Sequence, residues 1–217
     1  MKKMITMLLA LAMLLTVAGC GVQGTATSQT DVIANGQTQS ADDYGFDLLD
    51  EAVTYYADIE IADYGTVTVQ LDQSAAPVTA ANFVNLAKSG FYDGLTFHRI
   101  MAGFMMQGGD PKGNGTGGSD IRIKGEFAAN GHDNPISHKR GVISMARSRD
   151  FNSASSQFFI MHADGEFLDG QYAAFGYVTE GMDVVDAVCE AAKPTDNNGS
   201  IAKDAQPVIT KITIREE

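Results

Sequence analysis

Apolar and polar residues alternate along much of this chain, and the alternation sets the first expectations. From Val53 to Ile61 and again from Thr66 to Leu71 every second position is apolar, around an Asp63-Tyr64-Gly65 turn; this is the pattern of a β-hairpin. Pro77 to Lys88 changes period. Phe83, Val84, Leu86 and Ala87 supply one face of a helix, Pro77 suits its first turn and Gly90 its end. Short apolar runs separated by Gly, Asn and Asp follow at Thr96–Ile100, Phe104–Gln107, Gly141–Ala146, Gln157–Met161 and Ala173–Val178. A second helix is predicted over Met182–Ala191 and a last strand over Pro207–Arg215. Eight short strands with two isolated helices predict a mainly β fold, a closed eight-stranded antiparallel β-barrel capped by two α-helices. No internal repeat or second domain is visible.

The N-terminus obeys other rules. Lys2 and Lys3 precede an apolar stretch from Met4 to Ala18, too short for a comfortable membrane span of roughly 20 residues but suited to a signal peptide. It ends in Val17-Ala18-Gly19-Cys20, which resembles a bacterial lipobox whose cysteine receives a lipid. The expected organisation is a signal peptide over 1–19, a lipid-anchored linker over 20–51 and a folded domain over 52–217. Residues 21–40, rich in Gly, Thr, Ser and Gln, read as a tether, and the acidic residues 41–51 as a solvated lead-in. The expected location is extracytoplasmic, attached to the bacterial cell membrane through Cys20. A doubly acylated anchor would be stable there.

The 217 residues carry a formal net charge of -12. That balance excludes nucleic acid as a natural partner, since phosphate needs a basic face, and excludes a polybasic grip on anionic lipid. Cys189, the second of two cysteines, has no intramolecular partner once Cys20 is lipidated. It reads as a buried core residue of the second helix. The histidines His98, His132, His138 and His162 show no metal-ligand spacing, and His132 and His138 are expected in exposed loops. Gly113-Asn114-Gly115-Thr116-Gly117-Gly118 formally contains G-x-G-x-x-G. It lacks the preceding strand and following helix of a dinucleotide site and reads as a loop. Ser153, Ser155 and Ser156 lack a nucleophile elbow.

Three stretches carry the chemistry: Phe97-His98-Arg99-Ile100-Met101-Ala102-Gly103-Phe104-Met105-Met106-Gln107-Gly108-Gly109-Asp110, Ser155-Ser156-Gln157-Phe158-Phe159-Ile160, and Phe167-Leu168-Asp169-Gly170-Gln171-Tyr172-Ala173-Ala174-Phe175-Gly176. Strand periodicity puts Phe97 and Arg99 on one face, and Met105 with Gln107. An arginine among apolar residues is either an edge residue facing solvent or one of a few polar groups converging on an apolar pocket. The local pattern admits both.

Taken together with Gly115–Gly118, Glu180-Gly181-Met182 and the closing Ile212-Thr213-Ile214, these stretches resemble the cyclophilin family over about residues 53–215. The resemblance implies a peptidyl-prolyl cis–trans isomerase acting on proline-containing polypeptides; rotation about an amide needs no cofactor and no metal, and, with no sign of an oligomer in the sequence, a monomer is expected. It implies Arg99 as the catalytic arginine, with Gln107 and His98 as polar members of the site. Phe104, Met105, Phe159 and Leu168 become the walls of a proline pocket, and Ala146 with the backbone of Arg147 the edge that pairs with substrate. Phe167 stands where many members have Trp, Tyr172 where many have His, and Arg147 where Asn is common. The family's Trp touches cyclosporin, so weakened drug binding with catalysis kept is expected here. A non-catalytic module that only recruits proline-containing segments is the alternative on the same fold.

Overall fold

A computed structural model describes residues 44–217, together with a short antiparallel pair formed by Asp31–Val32 and Thr38–Gln39. The expected signal peptide over residues 1–19 and Cys20 lie outside the described residues. In chain order the domain comprises β1 (Tyr55–Ile61), β2 (Gly65–Leu71), α1 (Pro77–Lys88), β3 (Phe97–Met101), β4 (Met105–Gly108), β5 (Val142–Met145), β6 (Phe158–Met161), β7 (Ala173–Glu180), α2 (Met182–Ala191) and β8 (Ile209–Glu216). Both helices keep the predicted limits. The hairpin turns where predicted, with Asp63 at φ 66°.

All eight strands form one antiparallel sheet in the order β8-β1-β2-β7-β5-β6-β4-β3. The closed barrel expected from sequence is not what forms: the sheet is open and curled. Its edge strands β8 and β3 meet only at one end, through the Thr96–Val208 bridge and bonds from the N–H groups of Phe97 and Ile209 to the carbonyls of Pro207 and Leu95. Beyond that corner the outer edge of β3 bonds instead to residues 199–201, Ile100 N–H to the Gly199 carbonyl and Ile201 N–H to the His98 carbonyl.

The concave side is filled by side chains, as in small barrels generally. Phe83 of α1 packs on Tyr92, Phe158 and Phe175 with centroid distances of 5.2–5.4 Å, and Phe97, Ile100, Met106 and Ile160 join them. Cys189 is buried in the same core, as expected for a structural thiol, and burial pushes its pKa up to about 12. The first turn of α1 has no side-chain cap of its own. Glu126, wholly buried and 47 residues away, supplies it: its carboxylate accepts the N–H groups of Val78 at 3.0 Å and Thr79 at 2.8 Å.

Two readings of the sequence are corrected. Residues 44–51 are not all a solvated lead-in. The aromatic rings of Tyr44 and Phe46 stack at 5.6 Å and are buried against the core, with Leu48 and Leu49 packed beside them. The acidic residues around them, Asp42, Asp43, Asp47, Asp50 and Glu51, conceal this, because charge dominates local composition while the rings find their partners across the fold. His138, expected in an exposed loop, is completely buried.

Candidate active site

The site lies on the convex face of β4, β6 and β5, opposite the core. Alternation along β6 sends Phe158 and Ile160 inward and Phe159 and Met161 outward, and along β4 it sends Met106 inward and Met105 with Gln107 outward. β3 breaks the rule. Its pairing with β4 shifts between Phe97 and Arg99, so Phe97 faces Gly108 and Arg99 faces Gln107. This β-bulge changes the phase of the strand. Phe97 enters the core while Arg99 emerges beside Met105, where simple alternation had put the two on one face.

Arg99, Phe104, Met105, Gln107, Ala146, Arg147, Phe159, Leu168 and Tyr172 line a small cavity of about 140 Å³ on this face. Its floor is Met105 and Phe159, both nearly inaccessible, and Leu168 closes one side from a short turn of 3-10 helix over Glu166–Leu168. Of the residues assigned to the site from sequence, two stand elsewhere. Phe167 is 72% exposed and its ring leans against Phe104, centroids 5.5 Å apart and planes tilted by 31°, as a rim beside the pocket. His98 lines a neighbouring cavity with Arg99, Gln107 and the 112–116 loop. It is 5% exposed, neither ring nitrogen has a protein partner, and burial lowers its pKa, with Arg99 adding to the effect against Asp110.

Arg99 is half-buried and held from several sides. Its Nε donates to the Asn198 carbonyl at 2.7 Å and Nη1 to Gln107 Oε1 at 3.2 Å. Gln107 Nε2 donates in turn to Gln157 Oε1 at 2.9 Å, and Gln157 Nε2 to the Gly117 carbonyl at 2.7 Å. This chain of amides fixes which end of Gln107 faces the arginine. Burial pushes the guanidinium pKa down, but an arginine stays charged at neutral pH. Of the two readings the sequence left open for Arg99, convergence on an apolar pocket is the one observed.

The ladder of β5 ends at Met145, and Ala146 N–H makes one further bond to the Gln157 carbonyl at 2.9 Å. Arg147 follows on the pocket's edge. Its guanidinium lies 5.0, 4.9 and 4.7 Å from the ring centres of Phe127, Phe151 and Tyr172 and donates to the Gln171 carbonyl at 2.8 Å. The side chain thus ties the edge to the Tyr172 wall, an attachment worth about 0.5–2 kcal/mol per cation–π contact.

Three groups beneath the pocket were not assigned a site role from sequence. Asp169 Oδ1 lies 2.8 Å from His138 Nδ1, and His138 Nε2 3.0 Å from Ser144 Oγ. The order resembles a hydrolytic triad. Ser144 and His138 are completely buried, however, and the imidazole lies parallel to Phe159 at 6.1 Å, so the serine has no access to a substrate and the three brace the pocket floor. Burial holds the His138 pKa below its ordinary value against the pull of Asp169.

The 110–118 loop explains its glycines. Asp110, itself buried, accepts the N–H groups of Lys112, Asn114 and Gly115 at 2.8, 3.0 and 2.6 Å. A Cβ at Gly117 would collide with the same carboxylate. The N–H groups that a phosphate loop would offer a ligand are consumed by the chain's own anion, as expected for a structural loop.

Comparison with known proteins agrees with this arrangement. The sequence model of the family "Cyclophilin type peptidyl-prolyl cis-trans isomerase/CLD" matches residues 56–215. A Helicobacter pylori peptidyl-prolyl cis-trans isomerase is 46% identical over 148 residues, covering 66% of this chain and 87% of the relative. Peptidyl-prolyl cis-trans isomerase B of Bacillus subtilis is 42% identical over 146 residues, covering 67% and 93%. Among solved structures, a Cryptosporidium parvum cyclophilin type peptidyl-prolyl cis-trans isomerase, crystallised in the presence of the dipeptide ala-pro, superposes with a TM-score of 0.65 at 30% identity, covering 75% of this chain and 99% of that one. From its first strand to its closing strand, over residues 56–215, the chain belongs to the cyclophilin-type peptidyl-prolyl cis–trans isomerase family.

Proposed function

We infer that this cyclophilin-type peptidyl-prolyl isomerase binds an extended segment along the Ala146–Arg147 edge, seats its proline ring between Phe104, Met105, Phe159 and Leu168, and turns the X–Pro bond against Arg99. The reaction breaks no covalent bond. An amide resists rotation by roughly 18–20 kcal/mol because its C–N bond has partial double-bond character. Before proline the two isomers differ by only about 0.5–1 kcal/mol, yet they exchange over tens of seconds or more. Catalysis requires that the twisted amide be held better than either planar form.

Twisting localises a lone pair on the proline nitrogen, and a guanidinium N–H can donate to it more strongly than to the planar amide. A rigid, permanently charged fork suits the task better than lysine. Gln107 serves as the group that holds the fork or meets the rotating carbonyl, and His98 supports the arginine's strand from the neighbouring cavity. No step calls for a nucleophile, metal or cofactor. The observation that carries this reading is the half-buried Arg99 guanidinium, emerging at the lip of a small apolar pocket and anchored by Gln107 and Asn198. The ala-pro dipeptide used with the Cryptosporidium relative supports proline-containing peptides as the substrate class.

A protease-free assay on a short X–Pro peptide, with the full chain and Arg99→Ala compared, tests it. The expected loss is about 10²–10³-fold in kcat, the usual effect of removing one donor aimed at transition-state charge. Peptide binding without acceleration in the unaltered chain would instead identify a recruiting module.

The same proposal places the enzyme outside the cytoplasm as a monomer, lipid-anchored through Cys20 and assisting the folding of exported proteins. The Val17-Ala18-Gly19-Cys20 motif behind an apolar leader supports this location. Detergent-phase partitioning of the protein expressed in a bacterial host, lost in Cys20→Ser, is the expected result. Equal partitioning of both forms would refute the anchor.

A further inference from the structure

Two thioethers touch the Arg99 guanidinium. Nη2 donates to Met101 Sδ at 3.3 Å, and Nη1 lies 3.9 Å from Met105 Sδ. A thioether is a weak acceptor, so neither sulfur holds the fork firmly. The two side chains differ in access. Met105 is 1% exposed, and Met106, Met145 and Met161 are as deeply buried. Met101 is only half-buried, at the end of β3 beside the exposed residues Ala102 and Gly103. Its stem is fixed on the other side by Gly199, where a Cβ would come within 2.5 Å of Met101 Cγ. The adjacent Asn198 carbonyl fixes Arg99. Met101 therefore offers a partly exposed thioether side chain with an immobilised cation as neighbour.

We propose that Met101 is an oxidation site through which peroxide reversibly lowers the activity of the isomerase. The sulfur lone pair attacks one oxygen of hydrogen peroxide; an S–O bond forms as the O–O bond breaks, and the departing hydroxide takes the proton of the new S–OH group to become water. The thioether loses two electrons and the peroxide gains them, leaving the sulfoxide. The new oxygen is a strong acceptor on the atom that already faces Nη2. It forms a charge-assisted hydrogen bond with the guanidinium that the thioether could not. That bond is present before the substrate amide twists, so it competes with the interaction made only at the twisted nitrogen, and kcat falls more than binding does. A dithiol-dependent methionine sulfoxide reductase reverses the change: two electrons and two protons from the dithiol remove the oxygen as water and leave a disulfide on the reductant.

The inference rests on Arg99 acting at the proline nitrogen, and the test separates the two. The full chain is treated with graded hydrogen peroxide, then followed by peptide mass spectrometry, by NMR of the Arg99 Nε–H and by the isomerisation rate. Met101 is expected to gain oxygen before Met105, Met106, Met145 and Met161, the Arg99 signal to move with it, and kcat to fall roughly tenfold, the scale of one charge-assisted hydrogen bond. Sulfoxide reductases with a dithiol restore the rate. Met101→Leu, measured against its own untreated rate, shows no such loss. Oxidation of the buried methionines first, an unmoved Arg99 signal once Met101 is oxidised, or the same loss in peroxide-treated Met101→Leu would each overturn the proposal. A moved signal with an unchanged rate would overturn it too; if Arg99→Ala also kept its activity, the failure would lie in the role given to Arg99.

Discussion

At the level of single residues, the site combines fixed polar groups with an adaptable rim. Gln107 is oriented by Gln157, and Gln157 by a backbone carbonyl, so the arginine meets an oxygen and not an amide N–H. Phe167 is different: it is exposed and makes its ring contact with Phe104. It lacks the indole N–H that Trp would present. Phe167→Trp is therefore expected to tighten cyclosporin inhibition by about tenfold, the equivalent of roughly one 1.4 kcal/mol interaction, while leaving kcat/KM for a short peptide within about twofold, as for a surface change. Titration of isomerase activity with the drug, for both forms, decides it. Unchanged inhibition would mean that the ring's face, not its N–H, is what the drug meets.

Among the elements, α1 depends on a distant partner. Its N-terminal N–H groups are capped by Glu126 from the far side of the long segment between β4 and β5. Glu126→Ala leaves two buried donors unpaired, at about 1–3 kcal/mol each, and is expected to lower the urea midpoint markedly while kcat of the folded fraction is kept. A midpoint within error of the parent would show that water replaces the cap. This also marks where sequence reading ends. The strands and helices were legible because alternation and helical spacing are local, and the family motifs located most of the pocket. The bulge at His98–Arg99 was not legible, since a phase change is set by the partner strand's register. Tyr44 and Phe46 were hidden by their acidic neighbours. His138, Ser144 and Asp169 act through one another across 31 residues of chain, and Asn198 contributes only a carbonyl, which every residue type possesses.

For the molecule as a whole, buried imidazoles make stability depend on pH. His138 and His98 both have folded-state pKa values below the ordinary 6.5, chiefly because burial disfavours the charged ring. A histidine with a lowered folded pKa is more basic when unfolded. Its stabilising contribution is complete above the unfolded value and is lost progressively as pH falls from there through the lowered folded value. Stability is thus expected to be lower at about pH 5.5 than at about pH 7.5, two values that bracket the ordinary histidine pKa where the loss begins. His138→Gln should flatten the decline, leaving the part that belongs to His98. Urea unfolding at the two pH values measures both. An equal decline in parent and variant would show that His138 takes up no proton differentially.

The placement of pocket and core on opposite sides of one sheet has a consequence for how such an enzyme can change. Neighbouring positions on β6, Phe158 and Phe159, answer to different demands: one to cohesion of the interior, the other to whatever chain lies outside. Substitutions on the outer set can accumulate without disturbing the scaffold, and because the groove is a surface and not a chamber, nothing restricts the length of chain that crosses it. One backbone can therefore be retuned for new clients by alternate-residue variation alone. A single-residue deletion beside the bulge would have the opposite effect, since it would turn the arginine toward the interior and convert a change of preference into a loss of fold.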